Sequence, residues 1–401
     1  MRLRTFLVTF AAYMTVHIMR MSLPFVQLHL LQFYGIGNAF MGTVSASAYI
    51  MIGLGYLFLV FHPIQQVLPR YLLNMSIAGL AHILLFLTIM LEIQQPIVLV
   101  GCLMVAGFAQ TAAYAVVMRL IYQHFESKSD GLLLGIWSAH GDAGNIFSFL
   151  INTVIFYSLG WSWRICLLFA GAITIIMALT LRLSLVEREQ EGRSFTREEV
   201  HMYIGQFFTR PSNSILLAVI CLLKGTLYGI LLWMPMYFEK AGFKEFEGLI
   251  PMAFSAATIV GSGLAGSMYS CIAKNYVRSS ITAVGFAVMT ILLVVMKNLP
   301  LVPSNKESFM VLVAAIGFII GGSFNSLISI GSSVVSRESE IPVDFVGTIM
   351  MTGSCITIGV VQLIIGIATN SNEDSIFLIF VVFGCVTLTL EVLRTVVSFY
   401  N

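Results

Sequence analysis

Residues 185–213 have the sequence LVEREQEGRSFTREEVHMYIGQFFTRPSN, which is the longest polar stretch in a chain of 401 residues. A membrane-spanning helix needs roughly 20 mostly apolar residues, and six such segments precede this stretch while six follow it. Their centres lie near Met14, Met51, Leu84, Ala112, Phe147, Thr174, Leu227, Val260, Met289, Gly321, Ile356 and Thr387. The sequence therefore predicts an all-α membrane protein with twelve transmembrane helices in two six-helix bundles. The bundles are residues 1–185 and 213–401, and residues 186–212 form a linker that holds a short surface helix.

The composition excludes several classes of protein. The chain is 58% hydrophobic and only 10% charged, with a mean hydropathy of +0.93, whereas a soluble domain carries roughly 25% charged residues. Disorder needs low hydrophobicity, and the strands of an outer-membrane barrel alternate with polar residues. No run of Lys and Arg suggests a nucleic-acid partner. The sequence has no phosphate loop, nucleophile elbow or metal-ligand cluster, and the six cysteines lie in or beside apolar runs. We therefore expect neither an enzyme nor a cofactor.

The distribution of basic residues predicts the orientation. If the N-terminus is cytoplasmic, thirteen of the 21 Lys and Arg residues lie on the cytoplasmic side, five lie outside and three lie within spans. This bias follows the positive-inside rule and places both termini in the cytoplasm. The rule holds in the plasma membrane, the endoplasmic reticulum and other organelles alike, so all remain open. The basic, apolar N-terminus resembles a signal peptide, but no small-residue cleavage site follows it, which favours a retained first span.

Charges within the predicted spans point to the chemistry of the cargo. The basic groups in the spans are Arg20, Arg119, Lys224, His17 and His140. Asp142 is the one acid placed well inside a span by this assignment. A cation at a helix centre costs roughly 2.5–3.5 kcal/mol on insertion scales and usually faces a water-filled cavity. Arg and Lys bind phosphate or carboxylate oxygens. An excess of cations therefore predicts an anion site between the halves, in contact with the first and seventh spans.

Most of these basic residues also have a structural alternative or a position that argues against one. Arg119 lies close to a polar loop and could extend to the cytoplasmic surface. Arg20 could form a structural ion pair with Asp142, and His140 could hydrogen-bond a neighbouring helix. Lys224 lies about ten residues into its span, which is too deep for its ammonium group to reach the membrane surface easily.

Residues 131–151, GLLLGIWSAHGDAGNIFSFLI, resemble the fifth span of the sugar-phosphate exchangers, the organophosphate:phosphate antiporter group of the major facilitator superfamily. The matching positions are Gly131, Gly135, Trp137, His140, Gly144 and Asn145. The segment 107–115, GFAQTAAYA, resembles the Gly-x-x-Gln element of that family's fourth span through Gly107 and Gln110.

Two further segments strengthen the resemblance and one position weakens it. Residues 221–238, CLLKGTLYGILLWMPMYF, resemble the family's seventh span, with Lys224 and Tyr228 at the offsets that eukaryotic members use. Residues 321–336 resemble the tenth span through Asn325. In the first span the family has an Arg four residues after a Tyr, but here His17 follows Tyr13, and Arg20 comes one turn later.

The resemblance implies a secondary transporter that exchanges a sugar phosphate or other organophosphate for inorganic phosphate by alternating access. Lys224, Arg20 and His17 would hold the phosphoryl group, and His140 would sense its charge. Tyr228, Gln110, Trp137 and Asn325 would contact the sugar, and Arg119 would be a further basic contributor. Asp142, Gly144 and Asn145 would act in coupling or gating. The expected partners are a small anion and the bilayer, and we expect a monomer. The alternatives are a transporter of another anion, with proton coupling through Asp142 and His140, and a receptor that does not transport.

Overall fold

The computed structural model describes residues 2–62, 66–122, 136–137, 139–185, 195–240, 242, 248–272, 274–300, 305–372 and 375–400. Every regular element in these ranges is a helix. The first bundle contains α1 (Arg2–Tyr34), α2 (Asn38–Phe61), α3 (Val67–Met90), α4 (Pro96–Tyr122), α5 (His140–Thr153) and α6 (Arg164–Ser184). The short helix α7 (Arg197–Thr209) follows. The second bundle contains α8 (Pro211–Lys240), α9 (Leu249–Cys271), α10 (Asn275–Asn298), α11 (Lys306–Ser339), α12 (Val343–Ser371) and α13 (Ser375–Tyr400).

Eleven of these helices are long and apolar enough to cross a membrane within the described ranges. This confirms a helical membrane protein that spans the bilayer many times. The described part of the predicted fifth span includes α5, which continues into a π-helical turn at Val154–Ser158. Gly131 and Gly135 belong to the start of that predicted span and lie outside the described residues.

The helices pack mainly within two sets. In the first set α1 contacts α4, α5 and α6, and α3 contacts α4 and α6. In the second set α9 packs against α11, α10 against α13, and α8 against α12 and α13. Contacts between the sets join α2 to α12, α5 to α9 and α1 to α8. In a protein built of two such helix sets, a substrate site near the midplane of the membrane lies between the sets.

Several contacts between the two sets lie at the end where α1 finishes and α2 begins. The amide of Asn38 donates to the carbonyl of Thr369, at 3.2 Å. The His29 Nε2 and Glu239 Oε1 atoms are 4.0 Å apart. The orientation predicted from the basic residues places this end on the side away from the cytoplasm, facing the cell exterior or the organelle lumen. The two bundles are therefore held together at the end opposite the predicted cytoplasmic face.

The expected linker helix is present as α7, and its start is defined by local sequence. Thr196 caps the helix by accepting from the Glu199 backbone N–H at 3.2 Å, and the Glu199 carboxylate accepts from the Thr196 N–H at 2.9 Å. This capping box satisfies two backbone donors that would otherwise lack partners. The aromatic ring of Tyr203 packs against Phe345 of α12, with ring centroids 5.3 Å apart. The linker helix is thereby attached to the second bundle.

Candidate functional site

Two of the predicted cations, one from each bundle, lie near each other. Arg20 lies near the middle of α1, and its Nε donates to the Gln110 Oε1 of α4 at 2.6 Å. Lys224 lies near the middle of α8 and is 7% exposed. Arg20 is close enough to Lys224 to interact with it electrostatically. Two like charges inside the bilayer repel each other, so this pairing favours a bound anion between them.

Four tyrosine side chains surround Arg20 at electrostatic range. They come from three helices: Tyr13, Tyr49, Tyr56 and Tyr228. The rings of Tyr49 on α2 and Tyr228 on α8 meet edge to face, with centroids 5.3 Å apart. The Tyr49 hydroxyl is buried without a hydrogen-bond partner in the described part of the chain. Hydroxyls around a guanidinium supply donors that suit the oxygens of a bound anion or sugar.

His17 is held in place by α5. Its Nδ1 lies 3.2 Å from the Asn145 Oδ1, and its side chain is 8% exposed. A Cβ atom at Gly144 would lie 2.5 Å from the Met14 carbonyl oxygen, so glycine is required for this close approach of α5 to α1. Gly144 and Asn145 therefore orient His17. The role in coupling or gating that the sequence predicts for these two residues stays a proposal.

His140 lies in an aromatic pocket. Its ring centroid is 4.4 Å from that of Tyr13 and 4.5 Å from that of Trp137. Neither ring nitrogen has a hydrogen-bond partner among the described residues. The alternative in which His140 bonds a neighbouring helix is therefore not found. The Trp137 Nε1 donates to the Thr9 hydroxyl at 3.0 Å, so this indole offers a ring surface rather than a donor to a ligand.

Asp142 is half-buried, two residues beyond His140. The ion pairs among the described residues are His29–Glu239, Arg210–Glu338 and Arg394–Glu391. The expected alternative, an ion pair between Arg20 and Asp142, is absent from this set. Arg20 is hydrogen-bonded to Gln110 instead. The positive charge of Arg20 is therefore not cancelled by the nearest predicted acid.

The contacts of Lys224 within the described part of the chain include sulfur atoms. The Nζ atom lies 3.4 Å from the Met351 Sδ of α12. Cys221 and Cys355 are also electrostatic neighbours of Lys224. Thioether and thiol sulfur are weak acceptors, so these contacts hold the ammonium less strongly than oxygen ligands would.

Two other residues predicted for the site are not found beside Arg20 among the described side chains. Arg119 lies in the last turn of α4. Nine residues separate it from Gln110, which corresponds to about 13 Å along the helix axis. It therefore lies toward the end of the bundle rather than beside Arg20. Asn325 belongs to α11, and its side chain lies outside the described residues.

Sequence reasoning missed Tyr49, Tyr56 and Glu391. Tyr49 and Tyr56 are seven residues apart on α2, a spacing that places both on one helix face. That spacing was the available signal. Glu391 is fully buried in α13 and is bound by Arg394 Nε at 2.8 Å and by the Ser279 hydroxyl at 2.8 Å. No group of three or more potential metal ligands occurs among the described residues.

Relatives identified by sequence cover less than half of the chain. "Putative glycerol-3-phosphate transporter 3" of Arabidopsis thaliana is 26% identical over 218 residues, which is 46% of this chain and 42% of that protein. "Putative glycerol-3-phosphate transporter 1" of the same plant is 34% identical over 77 residues, or 19% of this chain and 14% of that protein. The alignment with the first of these relatives thus spans less than half of its length.

Solved structures match over nearly the whole chain, and a family profile matches most of it. The nucleoside transporter NupG superposes with a TM-score of 0.73 at 14% identity, covering 98% of both chains. A bacterial homologue of the human lysosomal transporter Spinster, in an inward-facing and occupied conformation, gives 0.68 at 14% identity and covers 97% of this chain and 96% of its own. At such identities these matches show the fold alone. The profile described as Major Facilitator Superfamily matches residues 5–361, and the chain therefore belongs to the Major Facilitator Superfamily.

Proposed function

We propose that this chain exchanges an organic phosphate, such as a sugar phosphate or glycerol phosphate, for inorganic phosphate. The family makes it a multi-pass membrane protein and a secondary transporter rather than an enzyme. The partial relatedness to plant proteins described as glycerol-3-phosphate transporters supports a phosphate ester as cargo. The substrate, the exchange and the cytoplasmic placement of the termini are the proposed parts.

The observation that carries the proposal is the electrostatic proximity of Arg20 and Lys224, which belong to different bundles. His17 is a further electrostatic neighbour of both. A phosphate dianion between these groups would be bound by the Arg fork and by the Lys point charge. The tyrosine hydroxyls around Arg20 would then bind the remaining oxygens of the ester. We also propose that Asn325 contacts the sugar and that Arg119 is a further basic contributor to the site.

The same geometry gives exchange a physical reason. We assign residues 1–185 and 213–401 to two bundles that rock against each other around the site. Without an anion, Arg20 and Lys224 repel each other, which disfavours the occluded state between the two open states. With an anion bound, the attraction of both halves to it stabilises that state. Return of the carrier therefore requires a second anion.

Exchange of radiolabelled phosphate against internal phosphate, in proteoliposomes without a proton gradient, tests the function directly. We expect exchange by the wild type and a loss of at least tenfold in Lys224→Ala, because one of the two opposed cations is removed. Glu307→Gln is a matched control, since Glu307 is an exposed acid in the first turn of α11. Exchange that is absent in the wild type, or unchanged in Lys224→Ala, would contradict the proposal.

A further inference from the structure

Cys355 lies among the side chains of the candidate site. It is near the middle of α12 in the second bundle, and its side chain is 4% exposed. Its electrostatic neighbours come from three other helices: Tyr13, Tyr49, Tyr56, Lys224 and Tyr228. The four tyrosines in this set are the ones that surround Arg20. A thiol of the second bundle therefore shares its surroundings with the guanidinium of the first bundle.

The packing of α12 places Cys355 between two neighbouring helices. On the side of α2, a Cβ atom at Gly53 would lie 2.9 Å from the Ile356 Cγ1. On the side of α8, the Gln362 Oε1 accepts from the Trp233 Nε1 at 2.5 Å. Cys355 is about 100° around the helix from Ile356 and, seven residues before Gln362, within about 20° of that residue. The thiol therefore lies on the part of α12 that borders both α2 and α8.

A second sulfur atom lies on the same face of α12. Met351 precedes Cys355 by four residues, a spacing that makes side chains neighbours on a helix. The Met351 Sδ lies 3.4 Å from the Lys224 Nζ, and Lys224 is also an electrostatic neighbour of Cys355. Thiolate and thioether sulfur are soft ligands, which select soft metals such as Cu(I). The two residues therefore offer a pair of soft ligands beside the lysine that we propose for phosphate binding.

A buried hydroxyl near Cys355 independently indicates a ligand position. The Tyr49 side chain is 6% exposed, and its hydroxyl has no hydrogen-bond partner in the described part of the chain. Cys355 and Tyr228 are both electrostatic neighbours of Tyr49. A buried polar group without a partner is costly, so a ligand that bonds this hydroxyl gains from the contact. The space near Cys355 is therefore suited to a bound molecule.

We propose that Cys355 is a thiol of the anion site, and that a soft metal bound by its sulfur, with Met351 as second ligand, blocks phosphate binding. The inference rests on the proposed function. With methylmercury chloride as the metal reagent, an S–Hg bond forms while the Hg–Cl bond breaks. The thiol proton passes to water, chloride leaves, and no electrons are transferred. Because the thiolate and the methylmercury cation form a neutral product, the metal excludes phosphate by its volume rather than by its charge.

Alternating access gives the metal a route to this buried thiol. The site of such a transporter opens to water on each side of the membrane in turn, so the reagent reaches Cys355 during the cycle. Bound phosphate covers the thiol and slows the reaction. Cys385 on α13 is an exposed thiol, and its reaction should not depend on phosphate. It is therefore the matched control.

Mass spectrometry of the purified wild-type protein measures the rate at which methylmercury modifies each cysteine. At about ten times its Kd, inorganic phosphate leaves roughly a tenth of the sites empty, so we expect modification of Cys355 to slow about tenfold. Modification of Cys385 should proceed at the same rate with and without phosphate. Because this measurement uses the wild type alone, it does not depend on the folding of a variant.

Phosphate exchange in proteoliposomes gives a second readout, in which each protein is compared with its own untreated rate. We expect methylmercury to abolish most of the exchange by the wild type and by Cys385→Ser. An excess of a dithiol should restore it by removing the metal. Exchange by Cys355→Ser should resist the reagent, because a hydroxyl is a poor ligand for a soft metal.

Two results would overturn the inference while leaving phosphate exchange intact. One is modification of Cys355 that phosphate leaves unchanged, in a protein that binds phosphate by titration calorimetry. The other is inhibition of Cys355→Ser as strong as that of the wild type. A wild type that binds no phosphate would instead overturn the proposed function, and the block of phosphate binding with it.

Discussion

Two clusters of charged side chains in this protein differ in whether neighbouring side chains neutralise them. In the cluster of α10 and α13, the Glu391 carboxylate is bound by Arg394 and by the Ser279 hydroxyl. In the group of side chains around Arg20, the guanidinium is bonded to a neutral amide and makes no ion pair among the described residues. The first cluster is neutralised by the protein itself, so it joins helices. In the second, no acid of the described part of the chain cancels the charge of Arg20, a condition that favours recruitment of an anion from water.

The largest effect should come from breaking the neutralised cluster. Glu391→Ala leaves Arg394 without its carboxylate partner and removes the acceptor of the Ser279 hydroxyl. Loss of one member of a buried pair costs about 3–5 kcal/mol. Thermal unfolding of the purified protein in detergent should show a clear loss of stability. Glu307→Ala, which removes an exposed acid, should leave the unfolding temperature nearly unchanged, and equal behaviour of the two variants would remove the contrast between the clusters.

The next effect concerns ligand binding rather than stability. Arg20→Ala removes the cation that is bonded to Gln110 and surrounded by tyrosines. We expect phosphate to bind roughly 100-fold more weakly, or by about 2.8 kcal/mol, while the unfolding temperature falls less than in Glu391→Ala. Arg20→Lys should recover part of the affinity, because it restores the charge without the planar fork. Isothermal titration with inorganic phosphate measures this, and wild-type affinity in Arg20→Ala would contradict a role of Arg20 in binding the anion.

A smaller effect should follow from separating α5 from α1. A Cβ atom at Gly144 would lie 2.5 Å from a backbone oxygen and 2.6 Å from the His17 Cβ, so the helices must move apart. Gly144→Ala should cost about 2 kcal/mol of stability and disturb the contact between His17 and Asn145. Gly101→Ala on α4 is the matched control, because nothing lies within 4 Å of the added Cβ. If both substitutions behave alike in thermal unfolding, close packing is not what positions the histidine.

Most of the fold could be predicted from the sequence because the hydropathy of a segment indicates whether it lies in lipid or in water. The long apolar runs and the polar stretch at 185–213 indicated the helices and the linker, and α7 lies within that stretch. Of the predicted fifth span, α5 and the π-helical turn at Val154–Ser158 lie within the described residues, while Gly131 and Gly135 lie outside them.

The charged residues of the candidate site could be predicted from the sequence, but the side chains that contact them could not. An Arg or Lys within a span is conspicuous because its insertion is costly, which is why Arg20 and Lys224 could be identified. Tyrosines are common in membrane helices, so Tyr49 and Tyr56 gave no comparable signal. Glu391 lies near the end of the chain, and its burial depends on the packing of α13 against α10. Hydrogen bonds such as Trp137 to Thr9 depend on tertiary structure and cannot be derived from spacing.

We expect basic side chains from both bundles to bind one tetrahedral oxyanion. Tungstate is a tetrahedral oxyanion whose metal scatters X-rays anomalously, so a crystal soaked with it locates the anion without assumptions about the protein. We predict one strong anomalous peak between the Arg20 guanidinium and the Lys224 ammonium, displaced by added inorganic phosphate. The absence of such a peak, or a peak beside Arg119 or Lys240 instead, would contradict binding of the anion between the bundles.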